Sequence, residues 1–171
     1  MEFQAIVDRL RALNAPGIVE IDEPRAPDKE TKDKGRSGRS FVVVEPASLV
    51  DILHLCRDDE RLQMEVLIDI TASDPAADDA NLWILVELLS VKHRHRLALK
   101  ALLPKENPVL PSATAIYRAA QWHERECAEM YGVTFEGHPD PRNILLPDDW
   151  VGYPMRKDYE FPTEYHGISC E

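Results

Sequence analysis

The sequence predicts an α+β domain, with helices packed on one β-sheet. Three features carry that expectation: two apolar stretches with a 3.6-residue period (2–14 and 47–58), a β-branched run at Phe41–Val44, and two long β-type runs, 82–91 and 96–103. The elements sum to helix, strand, helix and three strands. At 171 residues the chain is of single-domain size.

Phe3, Ile6, Val7, Leu10 and Leu13 recur at helical spacing, and Pro16-Gly17 ends that helix. Residues 22–40 hold eleven charges of both signs, two prolines, two glycines and no large apolar side chain. Such a segment cannot bury itself and reads as a solvated loop. The valines of Phe41–Val44 form a strand, after which Pro46 opens a helix faced by Leu49, Leu53 and Cys56. Met64, Val66, Ile68 and Ile70 alternate, so a strand is expected to turn that set toward the core. The runs 82–91 and 96–103 flank Lys92-His93-Arg94-His95 and read as a hairpin, its first strand apolar enough to be covered on both faces. Its basic tip could receive a carboxylate or phosphate, although a solvated turn that discourages edge pairing explains it better.

Beyond the breaker-rich stretch 104–111, Ser112 is placed to cap a helix that runs to Gly132, a fitting C′ glycine. On a helical wheel Ile116, Ala119, Ala120, His123, Cys127, Met130 and Tyr131 share one side. Arg118, Trp122, Arg125, Glu126 and Glu129 face away. Arg125 and Glu129 are spaced i, i+4 for an ion pair, and the charged side is expected to be a partner interface. The last 39 residues, 133–171, contain five prolines and six of the twelve aromatic residues. Disordered tails are aromatic-poor, so this segment is expected to be an extended arm that docks on a partner, attached to a domain comprising 1–132.

Composition excludes several functions. The net charge of −11 disfavours nucleic acid, and no apolar run reaches the eighteen residues expected of a membrane-spanning helix. The opening residues lack the basic-then-apolar pattern of a secretory signal. Cys56, Cys127 and Cys170 are scattered and odd in number, which argues against a disulfide framework, and no C-x-x-C pair builds a four-cysteine metal site. His123, Cys127 and His138 could supply three zinc ligands to a stand-alone enzyme, but a buried thiol beside a core histidine is the preferred reading. Glu124 and Glu126, two apart on a helix, point away from each other and cannot flank one substrate.

The run WHERECAEMYGVTFEGHPDPRNILLPDDWVGYPMRKDY, residues 122–159, resembles the C subunit of proton-pumping NADH:quinone oxidoreductase, respiratory complex I. The family pattern W-x-E-R-E-x-x-D-M-F-G, F-x-G-H-P, an arginine with isoleucine-leucine, then G-x-P-x-R-K-D-Y/F matches at Trp122, Glu124, Arg125, Glu126, Met130, Gly132, Phe135, Gly137, His138, Pro139, Arg142, Ile144, Leu145, Gly152, Pro154, Arg156, Lys157 and Asp158. The hairpin and Pro111–Thr114 extend the likeness upstream to about Phe41. The sequence departs from the pattern at Glu129 for aspartate, Tyr131 for phenylalanine, Pro141 for leucine and Asn143 for a second arginine.

The resemblance implies a two-layer α+β fold with a mixed sheet and an extended C-terminal arm. It also implies a cofactor-free, non-catalytic subunit of the peripheral arm on the cytoplasmic side of the membrane. Such a subunit docks on the D and B subunits of complex I, while FMN, iron–sulfur clusters and quinone belong to partner subunits. Ending at Glu171, the chain reads as the separate form, not one fused to the D subunit. The interface is then expected to use Arg118, Trp122, Glu124, Arg125, Glu126, Glu129, His138, Arg142, Trp150, Tyr153, Arg156, Lys157, Asp158 and Tyr159. Homologous subunits serve membrane-bound hydrogenases and formate-hydrogenlyase-type complexes, which gives the alternative assembly.

Overall fold

A computed structural model describes residues 1–23, 40–77 and 79–170. The loop expected over 22–40 therefore lies mostly outside the described residues.

The apolar period of the N-terminus forms α1 (Phe3–Ala12), which buries Ile6, Val7 and Leu10. Gly17, in the left-handed region at φ 66°, turns the chain into β1 (Ile18–Asp22), which pairs antiparallel with β2 (Phe41–Val44). β1 is a strand that the apolar pattern does not anticipate. A short 3-10 turn at Pro46–Ser48 leads into α2 (Leu49–Asp58), whose Leu49, Ile52, Leu53 and Cys56 are buried. β3 (Val66–Ser73), β4 (Asn81–Ser90) and β5 (His95–Pro104) follow.

The sheet order is β1-β2-β5-β4-β3, with β2 and β5 parallel and the other pairs antiparallel, so the sheet is mixed. Inward-facing residues of the sheet and the buried apolar residues of the helices form one hydrophobic cluster, which makes the domain two-layered. Full burial of such side chains stabilises by roughly 1.5–3 kcal/mol each. Polar ties link the elements across the layer: Tyr117 Oη donates to the Met64 carbonyl at 2.7 Å, and Arg9 pairs with Asp59. That guanidinium holds the Asp59 carboxyl below the ordinary carboxylate range.

Two strand expectations need correction. A register shift between Leu67 and Asp69 bulges β3. A bulge reverses which residues face inward, so Leu67, Ile70 and Ala72 are buried while Val66 and Ile68 are only half-buried. Along β4 every second residue, Leu82 to Ser90, is buried and its neighbours are half-buried. One face of that strand is therefore sealed; on the other, Lys100 lies over the Trp83 ring at 3.6 Å and pairs with Asp22 at 2.9 Å.

β6 (Val109–Pro111) pairs in parallel with β7 (Thr134–Glu136), on either side of α3 (Ala120–Tyr131). The helix thus starts eight residues later than Ser112, whose side chain serves a different contact. Gly132 does adopt the left-handed C-terminal conformation, at φ 73°. Val133 and Phe135 are part of the core, so the expected division at 132/133 would cut through packed structure. From Gly137 the chain runs without long elements, ending in a small hairpin, β8 (Glu164–Tyr165) with β9 (Ile168–Ser169).

Candidate functional site

The residues singled out in the sequence meet around α3, between the sheet and the strap formed by residues 137–159. Ala120 and Cys127 anchor the helix in the core. Glu124 lies on that same side and is 1% exposed. Its two carboxylate oxygens accept from the Ala113 backbone N–H at 2.6 Å and the Ser112 hydroxyl at 2.7 Å. Burial pushes the Glu124 carboxyl upward, against the downward pull of those two donors. Ser112 is therefore a ligand of a buried glutamate instead of a helix cap.

The opposite side of α3 was expected to meet a partner, yet much of it meets this chain's own strap. Glu129, 6% exposed, accepts from three consecutive backbone N–H groups, Ile144, Leu145 and Leu146, at 3.0–3.1 Å. Arg125 donates to the carbonyls of Arg142 at 2.6 Å and Asn143 at 3.1 Å. The expected Arg125–Glu129 ion pair is replaced by these contacts: one helix turn offers an acid to the strap's donors and a base to its acceptors. Charged groups strengthen such hydrogen bonds, which suits them to hold a segment with no secondary structure.

Further ties follow along the strap. His138 Nε2 lies 3.1 Å from the Gln121 carbonyl, and its Nδ1 accepts from the Asp140 N–H at 3.0 Å. Arg142 hydrogen-bonds Asp140 and holds that carboxyl down to about 2. The Tyr153 ring packs so closely on Gly132 that a Cβ there would collide with it; the glycine serves both the left-handed turn and this approach. The Met155 N–H donates to the Met130 carbonyl at 3.1 Å, and Arg156 Nε to the Tyr131 carbonyl at 2.6 Å. The Lys157 N–H reaches the buried Asp74 carboxylate at 2.9 Å, which also pairs with Lys105 at 2.7 Å. Burial pushes the Asp74 carboxyl up, but Lys105 and the N–H donors outweigh it and leave it below its ordinary value.

The zinc reading finds no geometry. His123 pairs with Asp69 at 3.2 Å, His138 is engaged as above, and Cys127 is a buried thiol whose pKa burial raises. Among the described residues, no three histidine, cysteine or acidic side chains converge to hold a metal. At the hairpin tip both histidines are engaged by backbone, His95 buried against the Leu62 carbonyl and His93 contacting the Glu60 carbonyl, and Glu65 accepts the N–H groups of Val91 and Lys92.

Of the expected interface residues, Arg118, Trp122, Glu126, Arg142, Tyr153, Lys157 and Asp158 are exposed. Arg125, His138, Trp150, Arg156 and Tyr159 are half-buried, and Glu124 and Glu129 are buried. The two buried glutamates cannot contact a partner as they stand. The Glu129 and Asp74 clamps were missed because their partners are backbone N–H groups of the strap. Glu124 did leave a signal: it is a charged residue four after Ala120 and three before Cys127, at the edge of the apolar arc of the helix.

α3, the strap and every strand of the main sheet except β1 fall within or at the edge of residues 42–165, which match the family model for the respiratory-chain NADH dehydrogenase 30 kDa subunit. The chain belongs to that family. Among curated relatives, the NADH-quinone oxidoreductase C subunit of Chloroherpeton thalassium is 44% identical over 118 residues, covering 68% of this chain and 48% of the relative. Its counterpart in Salinispora tropica is 40% identical over 134 residues, covering 76% and 55%. The chain thus spans about half the length of these two relatives. The counterpart in Roseiflexus castenholzii is 34% identical over 153 residues, covering 90% and 88%.

Two solved structures share the fold. A trypsin-resistant fragment of Nqo5 superposes with a TM-score of 0.57 at 23% identity, covering 80% of this chain and 97% of the fragment. A chain of the archaeal membrane-bound sulfane sulfur reductase superposes with a TM-score of 0.62 at 22% identity, covering 92% and 85%. Among the described residues of this family member, no helix is long and apolar enough to cross a membrane.

Proposed function

We propose that the chain is a cofactor-free, non-catalytic subunit of the peripheral arm of an NADH:quinone oxidoreductase. In this reading it assembles with the D and B subunits on the cytoplasmic side of the membrane, and flavin, iron–sulfur clusters and quinone reside in those partners and their neighbours. Family membership supports the assembly; one structural observation supports the docking role. Large apolar side chains remain exposed on α3 and the strap: Trp122 is 62% exposed, Leu145 61%, Val151 84% and Met155 52%, with Phe161 just beyond at 69%. Arginine, lysine and acidic residues flank them, a composition typical of protein interfaces, in which a few aromatic and arginine anchors carry most of the binding energy. Arg118, Trp122, Glu126, Tyr153, Lys157 and Asp158 are the residues that reach a partner directly. Arg125, His138, Arg142, Arg156 and Tyr159 shape the strap that presents them.

A tagged full-length chain recovered from mild-detergent extracts of its native membranes tests this. It should carry the D and B subunits and NADH:quinone reductase activity, whereas the isolated chain should show no stoichiometric flavin, iron or nickel by absorbance and metal analysis. Stoichiometric cofactor in the isolated chain, or recovery without those partners, would contradict the reading. The shared fold with the archaeal sulfane sulfur reductase supports a second reading, the equivalent subunit of a hydrogenase-type membrane complex. Nickel in the co-purified counterpart of the D subunit would favour it.

A further inference from the structure

The basic turn between β4 and β5 lies at the opposite end of β3 from the strap. The turn uses Glu65, just before β3, and the strap uses Asp74, just after it, so roughly 25–30 Å of strand separates them. Guarding a strand edge, the role the sequence suggests for these charges, does not fit the structure. β4 lies between β3 and β5, and β5 between β4 and β2. The N–H groups of Val91 and Lys92 go to Glu65 and that of His93 to the Ser90 hydroxyl at 3.1 Å, so the turn offers no free strand edge. His93 Nε2 lies 3.1 Å from the Glu60 carbonyl and His95 Nε2 2.9 Å from the Leu62 carbonyl, with the two rings stacked at 5.6 Å. What these contacts leave outside is cationic. Lys92, Arg94 and Arg96 are exposed, and among the described residues their side chains have no hydrogen-bond or ion-pair partner. Glu65 is spent on the backbone N–H groups, and Glu60 and Arg61 on the facing segment offset each other in charge. Val91, 60% exposed, sets an apolar side chain beside the cations.

We infer that this turn is a second docking point, which receives an acidic segment of a neighbouring polypeptide. Carboxylates of that segment meet Lys92, Arg94 and Arg96, and an apolar side chain of it covers Val91. The inference rests on the assembly role proposed above. A guanidinium takes a carboxylate through two parallel hydrogen bonds, and a turn already tied down by Glu65, Ser90 and the two histidines loses little freedom on binding. A free anion such as phosphate has nothing to place on Val91. Nucleic acid or an anionic membrane is a broad polyanion and would also meet the rest of a chain whose net charge is −11. A short acidic segment meets only the turn, because exposed charges more than about 8 Å away are screened at physiological ionic strength.

Carbodiimide cross-linking of the wild-type full-length chain, in the assembly recovered from native membranes, tests the inference, because the reagent joins an amine to a carboxylate only where the two touch. Mass spectrometry should find Lys92 linked to an aspartate or glutamate of another polypeptide, in a segment that carries further acids close by. The yield of that link should fall at least about fivefold when Arg94→Glu and Arg96→Glu are combined, since like charges then face the segment. The isolated double variant should melt within a few degrees of wild type, both side chains being exposed and unpartnered. Arg94 sits in the left-handed region at φ 55°, which favours glycine. Arg94→Gly should therefore melt at or above wild type while still lowering the yield severalfold, a combination that a merely structural turn would not produce. No such link, or a link whose yield the folded double variant leaves unchanged, with the D and B subunits still recovered, overturns the inference. If the double variant does not fold, Arg94→Gly decides, and its wild-type yield or its own failure to fold overturns the inference. Failure of wild type to recover the D and B subunits strikes the assembly role, and this inference falls with it.

Discussion

The sheet with α1 and α2 and the strap over α3 are held by different physics. In the first, Leu53, Leu97, Leu99 and Ile84 are at most 2% exposed and stabilise the fold by burying apolar surface. In the second, residues 137–159 contribute few buried side chains and are held largely through their backbone, by Glu129, Arg125 and Asp74, with Arg156 reaching back to the helix end. A segment fixed by its backbone keeps its apolar side chains outward. The strap can therefore be ordered on its own domain and still present an apolar surface, a combination that a free arm awaiting its partner does not describe.

Substitutions in the two regions should separate these mechanisms. Leu99→Ala removes buried atoms from the sheet core and should cost about 2–5 kcal/mol of global stability, read by denaturant unfolding. A loss under about 1 kcal/mol would mean that the core is loosely packed. Glu129→Ala leaves three strap N–H groups without their acceptor and should cost about 1–3 kcal/mol, seen as faster hydrogen exchange at 144–146 while β4 and β5 keep their protection. Equal loss of protection in the sheet would show that strap and core unfold as one unit.

The same contrast explains what the sequence revealed. α1 and α2 follow from apolar periods, and β2, β4 and β5 from β-branched and apolar runs, because burial selects both patterns. β1 escaped because it is a five-residue edge strand whose pairing depends on Phe41–Val44, with Val19 62% exposed and no apolar stripe to mark it. The bulge in β3 broke a correct alternation midway. Helix α3 was extended back to Ser112 because a serine before an apolar period resembles a cap, whereas Glu124 captures that serine from twelve residues away. Polar clamps of this kind leave no period; the family resemblance marks Glu124, Arg125 and, as a departure, Glu129 without showing what each one holds, and it does not mark Asp74.

A smaller effect should appear at Glu124. Burial raises its folded pKa, so ionisation opposes folding above that pKa, and the penalty disappears as the pH falls through it toward the ordinary carboxylate range. Glu124→Gln retains an acceptor for Ala113 and offers a donor to Ser112. It should match or exceed wild-type stability at pH 7 by up to about 1 kcal/mol, with the difference shrinking as the pH falls toward about 4 and gone below it. A variant that lost stability at pH 7 and matched wild type only in acid would show that the charged hydrogen bonds outweigh burial. The smallest effect belongs to Trp122→Ser: at 62% exposure it should change the isolated chain's stability by no more than about 0.5 kcal/mol, while weakening partner recovery. A large drop in melting temperature would place Trp122 in the fold and not in the interface.

Residue-resolved hydrogen exchange on the isolated full-length chain tests the central claim most directly. If buried carboxylates lay the strap on its own domain, the amides of Ile144, Leu146 and Lys157 are protected without any partner. Protection at Lys157 should persist below about pH 4, the ordinary carboxylate range, because the Asp74 carboxyl is depressed, and be lost only as the pH falls through its folded pKa. Free exchange of these amides at neutral pH, with the sheet still protected, would contradict the claim and restore the strap as an arm that orders only on its partner.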